Sequence, residues 1–497
     1  MLQKSLLFLL LLVFVNINSQ TSTSLEILES PEYSDQYKSK NILSIHTTKS
    51  GYTGIVRESK KHFLFDIFDK DLKKVFFQIV EKEKREDFAG ELFHGNEIKF
   101  FTVHSPKKTE RILYCHTINL KEKTYKKVSL FEKTVTKKHN LFSGRKRHHV
   151  NFTVSENGDY FALAADNIKK SLNSHTVYVY NSKNLELLFK KEYGKNDERY
   201  FEHNDISIDN NGIVYTLGKV FAQNVSIQTF NEKPNYTFSL NKITKDSINN
   251  LNIGGTDKHI ESLSISSKND QLHLIGFYSD KNVDRIKGGY NFIIDPDQLS
   301  IVDTKIHELP IEVYENLYGY RKAKKKKNKE LTRFNIDYVI EDDAGNTFIL
   351  AEEFFITTNY VNTGNMGGYW QTVYHYNDVI ILKYNVSGEL DWARSIFKRA
   401  HNHSYNAFIK GDELHVILNS GENLKEKKDG RIKASKGFFE STALYDFEYS
   451  KEGEVSYNKI QNNRANTLYL PNHGTFENET FIMMSSGKRK KQFMILK

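Results

Sequence analysis

An all-β chain, closed into a ring of repeated four-stranded sheets, is what the sequence predicts. Three observations carry the prediction. The first is composition: 34 Phe and 28 Tyr stand against 6 Pro and 5 Met in 497 residues, and aromatic side chains favour pleated strands. The second is a hairpin unit that recurs along the chain. The third is a short alternating segment near the N-terminus that belongs to no hairpin, set against a last hairpin lacking its partner strand. With 38% apolar and 27% charged residues, the chain reads as globular and not disordered. Its 27 Gly show no three-residue period, which excludes a collagen-like fold. The single Cys115 excludes an intramolecular disulfide framework and any cysteine-rich zinc site.

In chain order, the first segment is MLQKSLLFLLLLVFVNINSQ. One Lys4 precedes the apolar run Leu6 to Val15, and small polar residues follow. That order is expected of a secretory signal peptide over residues 1–19, cleaved near Ser19. The run is too short to span a bilayer and no second long apolar run occurs, so no membrane span is expected. Residues 20–497 then form one domain. Export combined with near absence of cysteine suggests a bacterial protein, secreted or periplasmic.

Next comes the repeat. An alternating strand, a polar turn and a second alternating strand begin at Phe63, Ile112, Val177, Tyr236, Tyr290, Val379 and Ala443, and an eighth copy opens at Phe493. Before each copy lies another hairpin, with turns such as KSG at Lys49, SENG at Ser155, DNNG at Asp209, EDDAG at Glu341 and HGTFEN at His473. Asp, Asn and Gly suit such turns because they accept positive φ and bond locally to the backbone. Each unit is therefore four antiparallel strands, a to d, recurring about every fifty to sixty residues, the signature of a β-propeller. The last unit has a, b and c but no d. Ser24 to Ser30 (SLEILES) alternates and is spare; pairing it as the missing strand d would close the ring and remove an open edge. Eight blades result, with seven as the alternative if one unit is misread.

Two stretches carry a resemblance. GNTFILAEEFF through YHYNDVIILKYNVSGELDWARSIFKR (Gly345 to Arg399) and YNFIIDPDQLSIVDTKIHEL (Tyr290 to Leu309) resemble an uncharacterised family of secreted bacterial β-propeller proteins. The c–d hairpin in its D-turn-G-x-L-x-W form is similar to bacterial propeller repeats generally. The resemblance implies the fold and an exported location, and it implies no activity.

Strand parity then assigns the loops to faces. In a four-stranded meander the b–c loops and the d–a links share one side, and the a–b and c–d turns share the other. Long connections are expected at 309–333 (a d–a link), 356–378 and 420–441 (both b–c loops), all on one face near the sixth and seventh blades. Long loops on a rigid scaffold are where function concentrates. The first carries KAKKKKNKE, with Lys324, Lys325 and Lys326 as candidate ligands for an anionic polymer; the bland alternative is a solvated loop. The second holds Tyr360, Tyr369, Trp370, Tyr374, His375 and Tyr376. Such rings suit stacking on a sugar or clamping a peptide, while the alternative is a long hairpin whose aromatics pack across its own strands.

Ahead of the a strands lie His149 and Asn151, His203 and Asp205, His259 and Ser262, Asn335 and Asp337, and His403 and Asn406. They are expected to ring the channel mouth, and recurrence in register favours a structural role at blade junctions over a metal or catalytic site. No cofactor or metal is called for, and none of the common catalytic motifs occurs. The favoured reading is an exported, non-enzymatic, monomeric scaffold that binds an envelope protein or glycan through its long-loop face. The alternative is a hydrolase or lyase acting on polysaccharide with His and Asp at the channel mouth. Nucleic acid is disfavoured, since no aromatic platform is interleaved with the lysines.

Overall fold

The computed structural model describes residues 24–39, 41–136, 140–142, 150–169, 172–194, 199–222, 229–230, 233–254, 258–268, 271–280, 285–362, 368–399, 405–436, 440–464, 468–487 and 490–497. The leader expected over residues 1–19 lies outside them.

Eight antiparallel four-stranded sheets follow one another round the chain. Blade 1 runs Asn41–Thr47, Thr53–Glu58, His62–Phe68, Lys74–Glu81 as strands a to d. Blade 2 runs Glu86–His94, Glu97–His104, Glu110–Asn119, Thr124–Thr134, and blade 3 runs Phe152–Val154, Tyr160–Lys169, Leu172–Asn181, Leu187–Tyr193. Blade 4 runs Phe201–Ile208, Val214–Phe221, Tyr236–Ile243, Ile248–Ile253, and blade 5 runs His259–Lys268, Gln271–Ser279, Gly288–Asp295, Ser300–Glu308. Blade 6 runs Phe334–Glu341, Thr347–Asn362, Gly368–Tyr384, Leu390–Ile396. Blade 7 runs Tyr405–Lys410, Glu413–Gly421, Thr442–Tyr449, Val455–Asn462. Blade 8 takes a, b and c from Thr475–Glu477, Thr480–Met484 and Phe493–Leu496, and its d from Ile27–Glu29 at the other end of the chain. The protein is an eight-bladed β-propeller, and the spare N-terminal strand closes it. One detail differs: Thr475–Glu477 is strand a of blade 8, inside a segment that reads as a turn, and the turn itself is Asn478–Glu479.

Strands a touch one another around the axis, whereas strands d carry the exposed apolar residues Val75, Leu187, Ile248 and Val302 at the perimeter. Strand a is thus innermost. The apolar core lies between blades: Phe348 and Leu350 of blade 6 pack with Tyr405, Val416 and Phe447 of blade 7, for example. Each blade buries one face against each neighbour, which is why strands b and c read as nearly continuous apolar runs.

Strand a is bulged at corresponding places. The pairing register shifts between Ile42 and Ser44, Phe88 and Gly90, His203 and Asp205, Ile260 and Ser262, and Ile336 and Tyr338. A bulge adds a residue and re-aims the side chains beside it. Backbones approach closely here. A Cβ on Gly276 of strand b would meet the Ser262 carbonyl oxygen at 1.8 Å, so only glycine fits.

Polar side chains lash the blades together. His46 of blade 1 lies 2.6 Å from Glu477 of blade 8 and 3.4 Å from Glu91 of blade 2. Burial works to lower its pKa, but the two carboxylates prevail and push it up to about 10, so the imidazole is charged at neutral pH.

Candidate functional site

The three long connections share one face, and their described residues include helices and paired strands. Residues 309–333 hold two helices, α1 (Ile311–Tyr318) and α2 (Tyr320–Lys327). This departs from the expected solvated loop. Val313, Tyr314 and Leu317 are buried on α1, and Ala323 on α2. Helix α1 packs on strand d of blade 6, where the Ser395 hydroxyl donates to the Val313 carbonyl over 3.0 Å. The legible signal was the spacing of Val313, Tyr314 and Leu317, followed by Arg, Lys and Ala, all strong helix formers. The charge run masked it.

The described residues of 356–378 extend strands b and c of blade 6 as a protruding pair. Strands b and c of blade 6 stay paired from Phe354↔Tyr376 to Asn362↔Gly368, beyond the ends of strands a and d. Within it, His375 stacks on Phe355 with centroids 4.4 Å apart and bonds the Thr357 hydroxyl at 2.8 Å. Tyr374 and Ile356 are each 52% exposed. The backbones of Tyr360, Tyr369 and Trp370 pair in this hairpin; their side chains lie outside the described residues.

Residues 420–441 contain a two-residue hairpin, Lys425–Glu426 with Ile432–Lys433. It reaches α1: Arg431 donates to the Leu317 carbonyl over 2.8 Å, occupying the C-terminal end of the helix, where carbonyls lack partners. Arg399, Lys427 and Arg431 gather over the Phe397 ring at 5.3, 4.8 and 4.9 Å. Burial lowers the Lys433 pKa, and the nearby Lys427, Lys425 and Arg399 lower it further. Lys324, Lys325 and Lys326 stand exposed on α2, with Lys326 over the Tyr318 ring at 4.9 Å. Two basic segments far apart in sequence therefore meet on one face.

Beside them the channel opens in a cavity of about 680 Å³. Its floor is the start of strand a in blades 4, 5 and 6, at His203, Asn204, Ser262 and Asn335. Its wall is the blade 6 hairpin, at Phe354, Phe355, Ile356 and Tyr376. Lys219, Arg285 and Arg333 supply positive charge; Glu202 and Glu261 are the acids. Sequence reading missed these cations because none lies in a run. Below the hairpin sits a buried charge cluster. Asp378 accepts from the Lys398 and Arg399 amides and pairs with the Arg399 guanidinium at 3.1 Å. Burial pushes its carboxyl up to about 7 in spite of Arg399. Glu352 pairs with Lys398, and Glu353 accepts from Thr332. Both glutamates are buried because a bulge at Glu353 breaks the alternation that would separate them.

The described channel-mouth residues bond to different blades. His149 and His403 lie outside the described residues. His203 bridges blade 4 to blade 3, contacting the Tyr193 hydroxyl at 2.9 Å and the Val150 carbonyl at 2.5 Å. Burial pulls its pKa down to about 3, so it is neutral. Asp205 turns the other way and accepts from the Ile265 amide of blade 5 and from Ile206; burial raises its pKa to about 6. Asp337 accepts from the Tyr405 hydroxyl of blade 7 at 2.8 Å, and Asn406 donates to Pro471 and Gly474 before blade 8. His259 lies 3.1 Å from Glu261 and 3.4 Å from the Tyr236 hydroxyl of blade 4. The expected register is not strict. The bulge follows His203 directly but comes two residues after His259, so the two imidazoles occupy different strand positions.

His203→Ala should remove a partner from the buried Tyr193 hydroxyl and the Val150 carbonyl, at a cost of about 1–3 kcal/mol. Urea unfolding measures it. Combined with His259→Ala the losses should add, since the junctions are separate. Equal stability of His203→Ala and wild type would remove the strut role.

No family model matches the chain, and no curated protein matches it. Solved structures do. One is described as the Dos1 propeller, at 10% identity over 94% of each chain, TM-score 0.44. Another is the WD40 domain of SCAP from fission yeast, at 8% identity over 96% of each chain, TM-score 0.41. A third is the β-propeller domain of the Trilobed protease from Pyrococcus furiosus, at 9% identity over 85% of this chain and 98% of that one, TM-score 0.40. Blade count and closure rest on the strand pairing described above.

Proposed function

We propose that this propeller is an exported, non-catalytic scaffold that binds an anionic protein or glycan of a bacterial envelope through its long-loop face, acting as a single chain. The carrying observation is the 680 Å³ cavity at the channel mouth, walled by aromatics, edged by Lys219, Arg285 and Arg333, and flanked by two converging basic segments. A concave, partly apolar site with a few placed charges suits recognition. The hydrolase or lyase alternative draws little support from the geometry, because His203 and Asp205 bond in opposite directions to different blades. Among the described residues no helix is long and apolar enough to cross a membrane. Cleavage near Ser19 and a secreted or periplasmic location belong to the same proposal.

Replacing Lys324, Lys325 and Lys326 together by Gln should make the protein leave heparin at lower salt, and wild-type retention should fall steeply with ionic strength. Coincident elution would exclude the lysine helix from the binding face.

A further inference from the structure

We propose that the partner is an extended acidic peptide that adds as a strand to the inner edge of the blade 6 hairpin. This rests on the binding-scaffold reading and names its ligand.

In blade 6, pairing of strand a with strand b stops at Phe334↔Glu353, where strand b bulges. Strand b continues, paired with strand c alone, to Asn362. From Phe355 to Thr358 it thus has a neighbouring strand on one side only, among the described residues. The cavity lies on the other side. Phe334, Asn335 and Ile336 of strand a line it together with Phe355 and Ile356 of strand b, so it occupies the space strand a would fill had it run further. An edge of this kind presents amide donors and carbonyl acceptors on alternate residues, spaced to pair with another extended chain. Four residues offer about 13 Å of it.

That geometry separates a peptide from a sugar. A glycan can stack on rings and meet cations, but it has no repeating amide ladder to match the strand. Charge decides which peptide. Arg285, Arg333 and Lys219 stand in the cavity against Glu202 and Glu261, and Glu261 is engaged by His259. Outside, the α2 lysines and Lys427 extend the positive field, while Arg399 and Arg431 are paired with Asp378 and Asp429. Side chains of an added strand alternate between the two sheet faces, so acidic residues should alternate with apolar ones, the latter on the face that carries Phe354, Ile356 and Tyr376.

The test is selection from a displayed library of short random peptides against the full chain, followed by synthesis of the enriched sequence. Enriched peptides should alternate Asp or Glu with apolar residues, and Arg285→Glu should weaken binding by about tenfold or more. N-methylation of every second backbone amide should abolish binding in one register and leave it within about threefold in the other. The protein is untouched in that comparison, so misfolding cannot mimic the result. Equal tolerance of both registers, or enrichment without acidic alternation, would overturn strand addition while leaving the loop face as a binding site. Retention on heparin that Arg285→Glu diminishes, with no peptide enriched, would overturn the peptide in favour of a glycan. No peptide enriched, and no effect of Arg285→Glu or of the lysine changes on heparin, would overturn both readings.

Discussion

Removing residues 20–30 should cost the ring about 5–7 kcal/mol. Ile27, Leu28 and Glu29 pair with Leu496, Ile495 and Met494, flanked by bonds between Glu26 and Lys497 and from Ser30 to the Phe493 carbonyl. These backbone bonds are worth about 1 kcal/mol each. Leu25 adds about 2 kcal/mol, being 4% exposed between Phe408, Tyr469 and Phe481. A ring of this length unfolds with an entropy of about 1 kcal/mol/K, so the melting temperature should fall by about 5–7 °C. Phe493–Leu496 would also become an unpaired edge open to another chain, and the truncated protein should self-associate. Light scattering and calorimetry together check this. A monomeric truncated protein melting within a degree or two of the intact one would refute closure by this strand.

Arg57→Leu should cost about 3–5 kcal/mol, because it strands buried carboxylates. Arg57 is 1% exposed. It reaches Asp66 at 2.5 Å, Asp35 at 2.8 Å and Ser39 at 2.9 Å. Asp66 keeps Lys74 at 2.6 Å; Asp35 would keep Ser39 and nearby amides as hydrogen-bond partners among the described residues. Asp35 and Ser39 belong to the link between the closing strand and blade 1, so Arg57 also ties down the segment that seals the ring. Removing Asp35 as well should recover part of the loss. The acid limb gives a second readout. Burial works to raise the Asp35 pKa, but the Ser39 hydroxyl and Arg57 hold it below its ordinary value. Its contribution is therefore full above about pH 4 and fades as pH falls through the lower folded value. Arg57→Leu should diminish that part of the acid sensitivity. A variant as stable as wild type at neutral pH would show the network to be dispensable.

Legibility followed the range of the forces involved. Turn residues such as DNNG at Asp209 and EDDAG at Glu341 act within a few residues, so hairpins and their spacing could be read directly. The spare SLEILES segment could be assigned by counting, since an unpaired strand edge is costly wherever it lies. The helices at 311–327 were less visible because a lysine run reads as solvent-loving whether coiled or helical, and burial of Ala323 is what marks it as packed. Of the histidines expected at the channel mouth, His203 and His259 are among the described residues. His203 does link blades, but a bulge shifts side-chain positions by one residue and leaves no mark on the sequence pattern.

Local preference and count thus determined the all-β class, the eight repeats, the closing strand and the face on which the long connections gather. Tertiary structure alone decided the rest. Arg285, Arg333 and Lys219 meet at one cavity, Arg431 reaches α1 from another blade, and the blade 6 hairpin leaves an open edge beside them. Those arrangements depend on through-space approach between segments tens to more than a hundred residues apart, set by blade packing and by bulges, and no local periodicity encodes such distances.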